Sequence, residues 1–212
     1  MASGAALATI MGRSVAAQDA PGGVTVRQAL QRRRSTRLYT PEPIAERTLL
    51  ELLFAANGVN RPDSDGRTAP SWHGARDVDI YVAQANGVGR FDPAANALLP
   101  VADQDIRGQT SLEPFVGTAP VVLIYVSDQD RLNVAAASFE IGQPPDLVER
   151  QHEIAAYVDT AVVAENVYIY CAAEGLGTCL VGGSDPAAIG LALGLRPEQR
   201  VTYLQPVGHP AS

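Results

Sequence analysis

The sequence contains no lysine: all 16 basic residues among its 212 are arginine. Schiff-base chemistry and a Walker-type phosphate lysine are thereby excluded. Positive charge is scarce overall, since 23 acidic residues leave a formal net charge of -7. Nucleic-acid binding needs a basic face that neutralises many phosphates, and this balance does not supply one. Any anion bound here is expected to be small. The two cysteines, Cys171 and Cys179, lack the paired spacing and histidine partners of a zinc site. They read as buried free thiols, although spacing alone cannot judge a disulfide between them. The histidines number three and none are closely spaced, so no metal is expected. No run approaches the ~20 apolar residues that span a bilayer, so no membrane span is expected and the chain should be soluble.

What is present fits one domain of ordinary size, residues 24–212, large enough to bury a core without disulfides. The first 23 residues differ. Small apolar residues run from Ala2 to Met11, and Val15-Ala16-Ala17 suits cleavage after Ala17, but the basic start of an export signal is missing. This stretch is either the remnant of an export signal, which implies a periplasmic or exported protein, or a tail on a cytoplasmic one.

Helical patterns cover Val24 to Arg34, with Thr25 as N-cap, and Glu46 to Ala56, with Leu49, Leu50, Leu53 and Phe54 as the apolar face. Between them Pro41 and Pro43 enforce an extended chain. Residues 57–77, rich in Gly, Pro, Asp and Ser, read as a long loop. Strands are expected at Val78 to Gln84, Gly89 to Asp92 and Ala97 to Val101, forming a meander at the sheet edge. Pro120 to Val126 is a continuous apolar run and reads as a central strand. Glu149 to Ala173 has helical spacing with few charges in its second half, as a core helix or a dimer helix would. Gly175 and Gly177 end it, and a short strand Cys179 to Val181, a helix Pro186 to Leu193 and a last strand Arg200 to Val207 follow. Helices and strands mix without strict alternation, which points to α+β.

Two stretches carry chemistry. In RRRSTRLY, residues 32 to 39, four arginines surround Ser35 and Thr36. An arginine fork grips phosphate oxygens bidentately, yet arginines at a helix end also complement the helix dipole as a solvated face. In EGLGTCLVGGSD, residues 174 to 185, Gly182 and Gly183 either let main chain approach a flat ligand or serve a tight turn before the Asp185-Pro186 helix start.

Arg33-x-Ser35-x-Arg37 after a first helix, a Thr-Ala-Pro-Ser loop leading into a strand, a long core helix, then GLGTCLVGG and PVGHP together resemble the FMN-dependent nitroreductase family. The likeness runs from about Val24 to Pro210. It implies a nitroreductase-like fold, with a mixed, mainly antiparallel sheet flanked by helices. It also implies a homodimer with FMN between subunits. Arg33, with Arg34 and Ser35, would hold the phosphate and ribityl end. Arg37 would face the pyrimidine edge of the ring, and the Val181-Gly182-Gly183 backbone would lie against N5. Pro70 and Ser71 would reach the flavin across the interface. Implied too is a hydride-transfer oxidoreductase that takes electrons from NAD(P)H or another donor to a small electron-poor organic acceptor. A flavin-fold ligand-binding protein without turnover is the alternative, as is a dehydrogenase of a peptide-derived or other small substrate.

Departures qualify the likeness. Gly74 stands where relatives commonly carry asparagine, with Arg76 as a substitute, and the late lysine and arginine that many relatives place after PVGH are not in the sequence. The phosphate is then expected to depend on Arg33, Arg34 and Arg200. RTAPSWHGARDVDIYV and GVGRFDPAANALLPV look more like the branch containing azoline dehydrogenases, whose lysine-tyrosine proton shuttle a lysine-free chain cannot share. Trp72 and His73 are the catalytic candidates, as a flavin cover and a proton donor; packing and loop roles stand beside these. Tyr157, Tyr168 and Tyr170 read as core residues, and Glu165 as a buried carboxylate in need of a partner.

Overall fold

The computed structural model describes residues 23–211, so the export-signal expectation lies outside the described residues. The chain runs α1 (Val26–Arg32), α2 (Glu46–Asn57), β1 (Val59–Arg61), β2 (Gly66–Arg67), β3 (Val78–Gln84), β4 (Gly87–Asp92), β5 (Ala97–Ala102), α3 (Pro114–Thr118), β6 (Val121–Asp128), α4 (Gln129–Ala136), α5 (Pro145–Glu174), β7 (Gly177–Thr178), α6 (Pro186–Leu193) and β8 (Gln199–Gly208). Six strands form one sheet in the order β5-β4-β3-β6-β8-β7, antiparallel at every pairing. The fold is the expected α+β. Among the described residues one parallel contact joins Ser35 to Thr178, where the extended RSTR segment lies against β7.

All eight residues of β6 are buried, because helices cover both faces of the sheet. Side chains alternate along the strand. Val121, Leu123 and Tyr125 enter a core with Leu49, Leu52, Val163 and Val167, while Val122, Ile124 and Val126 enter a second core with Val116, Ile189 and Leu193. The face packed on α2 and α5 thus has a core of its own, and the face under α3 and α6 another.

Local chemistry sets the ends. At α1 a capping box closes, with Thr25 Oγ1 accepting from the Gln28 amide at 3.2 Å and Gln28 Oε1 accepting from the Thr25 amide at 2.8 Å. Pro145 sits in the first turn of α5, so this helix begins four residues before the expected Glu149. Gly175, at φ 73°, ends it in the left-handed region. No helix among the described residues is long and apolar enough to cross a membrane.

Several expectations need correction. The stretch 57–77 contains a small hairpin, β1 paired with β2, and a 3-10 turn at Trp72–Gly74. On α2 Leu49 and Leu53 are buried as expected, but Leu52 joins them in place of Phe54, which is 41% exposed. Cys179 to Val181 is not a strand: ladder pairing is confined to Gly177 and Thr178, and Val181 makes a single bridge to Leu204. Burial, not a ladder, accounts for that apolar run. Helices α3 and α4 were not anticipated. Both cysteines are buried free thiols, and burial pushes the Cys171 thiol well up.

Candidate functional site

The arginine segment leaves α1 and runs extended beside β7, with the Thr36 amide donating to Thr178 O at 2.9 Å. Gly177 makes this approach possible, since a Cβ there would lie 2.7 Å from Thr36 Cγ2. Beside the segment lies a cavity of about 470 Å³, walled by Arg32, Arg33, Arg34, Thr36, Tyr168 and Thr178. The helices α1 and α5 both end here, each contributing about half a negative charge through its terminal carbonyls. Three arginine charges outweigh roughly one opposing charge. None of Arg32, Arg33, Arg34 or Arg37 has an ion-pair partner among the described residues. Unpaired arginine forks facing a cavity fit a phosphate-bearing cofactor.

Tyr168, expected in the core, belongs to this site. Its hydroxyl accepts from the Leu180 amide at 2.7 Å and lies 3.3 Å from Ser35 Oγ, while its ring lies under Arg33 at 5.3 Å. One side chain therefore ties the arginine segment to the chain leading into Gly182 and Gly183. Tyr168→Phe should remove the acceptor of the Leu180 amide and cost about 1–3 kcal/mol; thermal melting checks it.

Gly182 and Gly183 are exposed, and neither has the positive φ that would require glycine. A Cβ on Gly182 would meet nothing nearer than the Tyr203 ring at 3.6 Å. The turn before α6 therefore does not by itself demand glycine at either position. Their amides have no acceptor among the described residues, whereas Ser111 Oγ donates to Gly183 O and steadies the turn. Val181 itself is buried and bridged to Leu204. Arg37, Gly182 and Gly183 do not line the arginine cavity.

Trp72 and His73 stand elsewhere, on the wall of a second cavity of about 570 Å³ with Phe139, Ile154, Val158 and Asp159. His73 stacks on Phe139 with centroids 4.1 Å apart, and Trp72 meets His73 edge-on at 4.4 Å. Below them His152 bonds Glu140, fixing the segment that carries Phe139 to α5. The backbone of His73 and Arg76 lies in the left-handed region, at φ 46° and 51°, which for non-glycine residues stores roughly 1–3 kcal/mol each. What holds the turn is the Trp72 amide, donating to Asp159 Oδ2 at 2.7 Å. Pro70 is exposed, and Ser71 Oγ accepts from the Arg76 amide at 2.8 Å. The Arg76 guanidinium points away, toward Asp65 and Ser64 O, so it does not take the place suggested for it at Gly74.

Two more expectations fail. Arg200 pairs with Glu153 and sits in register with Ser127, at the end of β8 opposite the arginine cavity. About seven strand residues, roughly 23 Å, separate it from Val207 beside Thr178. Glu165 is exposed, on the same face of α5 as Ile154, Val158 and Ala161.

Within one chain the two cavities do not meet. The nearest residues of α5 that line them are Asp159 on one side and Tyr168 on the other. These two are about 14 Å apart along α5 at roughly 1.5 Å per residue.

An antiparallel sheet carrying one long helix, with a cationic cavity where that helix ends, is the frame of a class of α+β oxidoreductases. The chain belongs to the nitroreductase family, whose family model matches residues 30–209. It is 33% identical to a protein of Ralstonia eutropha provisionally named a nitroreductase, whose crystal structure superposes with a TM-score of 0.80 over 92% of this chain and 87% of that one. A protein of Methanocaldococcus jannaschii, also provisionally named a nitroreductase, is 28% identical over 170 residues, covering 75% of this chain and 79% of its own. A nitroreductase family protein of Streptococcus pneumoniae shares the fold at 15% identity, with a TM-score of 0.63 over 89% of this chain and 92% of that one.

Proposed function

We propose that residues 24–212 form one domain of a homodimeric FMN-dependent oxidoreductase that passes electrons from NAD(P)H, or another donor, to a small electron-poor organic acceptor. The observation that carries this reading is the set of unpaired arginines walling a cavity in a chain of net charge -7. Flavin, when bound, would supply hydride acceptance and donation at N5.

The chain's own residues supply position and field. Arg33 and Arg34 would hold the phosphate, with Ser35 oriented by Tyr168. Arg37 would place a cation at the pyrimidine edge, where it favours negative charge on the reduced ring. The free amides of Gly182 and Gly183 are the donors available to the ring's reacting edge. Acceptors would enter against Trp72, His73 and Phe139.

Homodimerisation would bring the two cavities together. Ile154 and Val158 are exposed on α5 and also line the Trp72 cavity. A partner laid on that stripe would close the cavity and set its own arginine site beside Pro70 and Ser71. The likeness to azoline dehydrogenases concerns loop sequence alone, since a lysine-free chain cannot run a lysine-tyrosine shuttle.

Purified protein incubated with FMN and desalted should remain yellow and bleach anaerobically on titration with NADH or NADPH. Colourless protein would overturn the cofactor assignment. Flavin that is retained but bleached by no donor would favour a ligand-binding role.

A further inference from the structure

Asp77 and Asp159 form a pair of interior carboxyls. Asp77 is fully buried at the foot of β3, and Asp159 of α5, at 4% exposure, lines the same small cavity. Ser127 Oγ donates to Asp77 Oδ2 at 2.6 Å, but Asp77 Oδ1 is buried with no donor. Neither carboxyl has an ion-pair partner among the described residues. The neighbouring cations are committed elsewhere: Arg131 of α4 is bidentate on Asp79 at 3.0 and 2.9 Å, and Arg67 and Arg76 pair with Asp65. A cavity of about 10 Å³ beside the pair is at the lower limit for one water. Two adjacent ionised carboxylates without counter-ions would be strongly disfavoured.

We infer that Asp77 and Asp159 share one proton, and that this acid pair is the positioning element that holds the Trp72–His73 turn on the wall of its cavity. The shared proton supplies the donor that Asp77 Oδ1 lacks. It also fixes the Asp159 carboxyl so that Oδ2 is presented to the Trp72 amide. That anchor restrains a turn whose His73 and Arg76 backbones are strained. The acceptor role of the cavity rests on the function proposed above; the proton pair does not.

Burial raises both groups, and for Asp77 the pKa reaches about 7, with the Ser127 bond opposing and Asp159 adding to the rise. The two titrate as a unit. Because the folded pair holds its proton up to about pH 7 and the unfolded chain loses it near 3.8, the stabilisation is full below pH 3.8. That stabilisation declines as pH rises from 3.8 toward 7, whereas the hold on the turn, a property of the folded pair, goes only as the pair itself loses its proton around pH 7. Other groups near the turn are His73 and His152, whose rings touch Trp72, together with Glu140 on His152.

Trp72 is the only tryptophan of the chain, so its emission reports this turn directly. In full-length protein at fixed flavin content, emission should titrate once with a midpoint near pH 7. Asp77→Asn, which mimics the protonated acid, should abolish that transition and hold emission at its low-pH value. Asp159→Asn, which keeps an oxygen for the Trp72 amide, should do the same. A protonated-carboxyl carbonyl band should persist in the infrared spectrum of wild-type protein at pH 6, a reading that needs no variant. A transition that survives both variants but disappears in His73→Gln or His152→Gln would assign it to the histidines and overturn the proposal. So would the absence of the infrared band. Failure of flavin binding with the emission transition intact would overturn the proposed function and leave this inference standing.

Discussion

Arg33→Ala is expected to raise the Kd for FMN by roughly 10- to 150-fold and leave far-ultraviolet circular dichroism unchanged. The magnitude is that of one hydrogen bond to a charged group, about 1.5–3 kcal/mol. The fold should tolerate the change, because Arg33 is half-buried beside the Tyr168 ring and makes no ion pair. Its guanidinium does offset the carbonyl ends of α1 and α5, but Arg32 and Arg34 remain for that. Arg33→Lys separates the two roles that arginines have at a helix end. A point charge keeps the dipole complement and loses the bidentate fork, so affinity should stay well below wild type. Recovery of full affinity with lysine would mean that the segment contributes charge alone. Flavin-fluorescence titration measures both variants.

Hydrophobic patterning disclosed most of the frame. Val78 to Gln84 and Pro186 to Leu193 form over the expected residues, because their ends are marked by turn residues and an Asp-Pro start. β6 was legible from the apolar run Pro120 to Val126, which burial on both faces permits, although the strand goes on through the buried polar residues Ser127 and Asp128. Helices α3 and α4 were not, since Pro114–Thr118 is one turn long and α4 buries only Leu132 and Ala136. The site divides in the same way. The arginine segment and the glycine pair could be picked out because their residue types are unusual there. Tyr168 could not, because nothing local separates a core tyrosine from one whose hydroxyl joins two distant segments. Arg200 misled for the opposite reason: its residue type suited a phosphate, while the register of β8 puts it at the far end of the sheet. Residue chemistry shows in sequence, and the meeting of chain segments far apart does not.

Val158→Asp is expected to convert a dimer to monomers and to abolish flavin retention together. Val158 is 53% exposed in the single chain, so the substitution removes no core contact and should leave the fold intact. In a two-fold dimer through the face of α5 that holds Ile154, Val158 and Ala161, each interface would receive the new carboxylate twice. Burying an unpaired charge costs several kcal/mol, so two copies should raise the dimer Kd by at least three orders of magnitude. Flavin would be lost because, in the proposed dimer, the arginine cavity and the Trp72 cavity, whose nearest α5 residues are about 14 Å apart, come together across the interface. Size-exclusion chromatography with light scattering, beside the visible spectrum, reads both effects. A monomer that still retains FMN would show that one chain suffices for the cofactor. A dimer that persists would move the interface to another face, with the exposed Val26 and Leu30 of α1 as the next apolar surface.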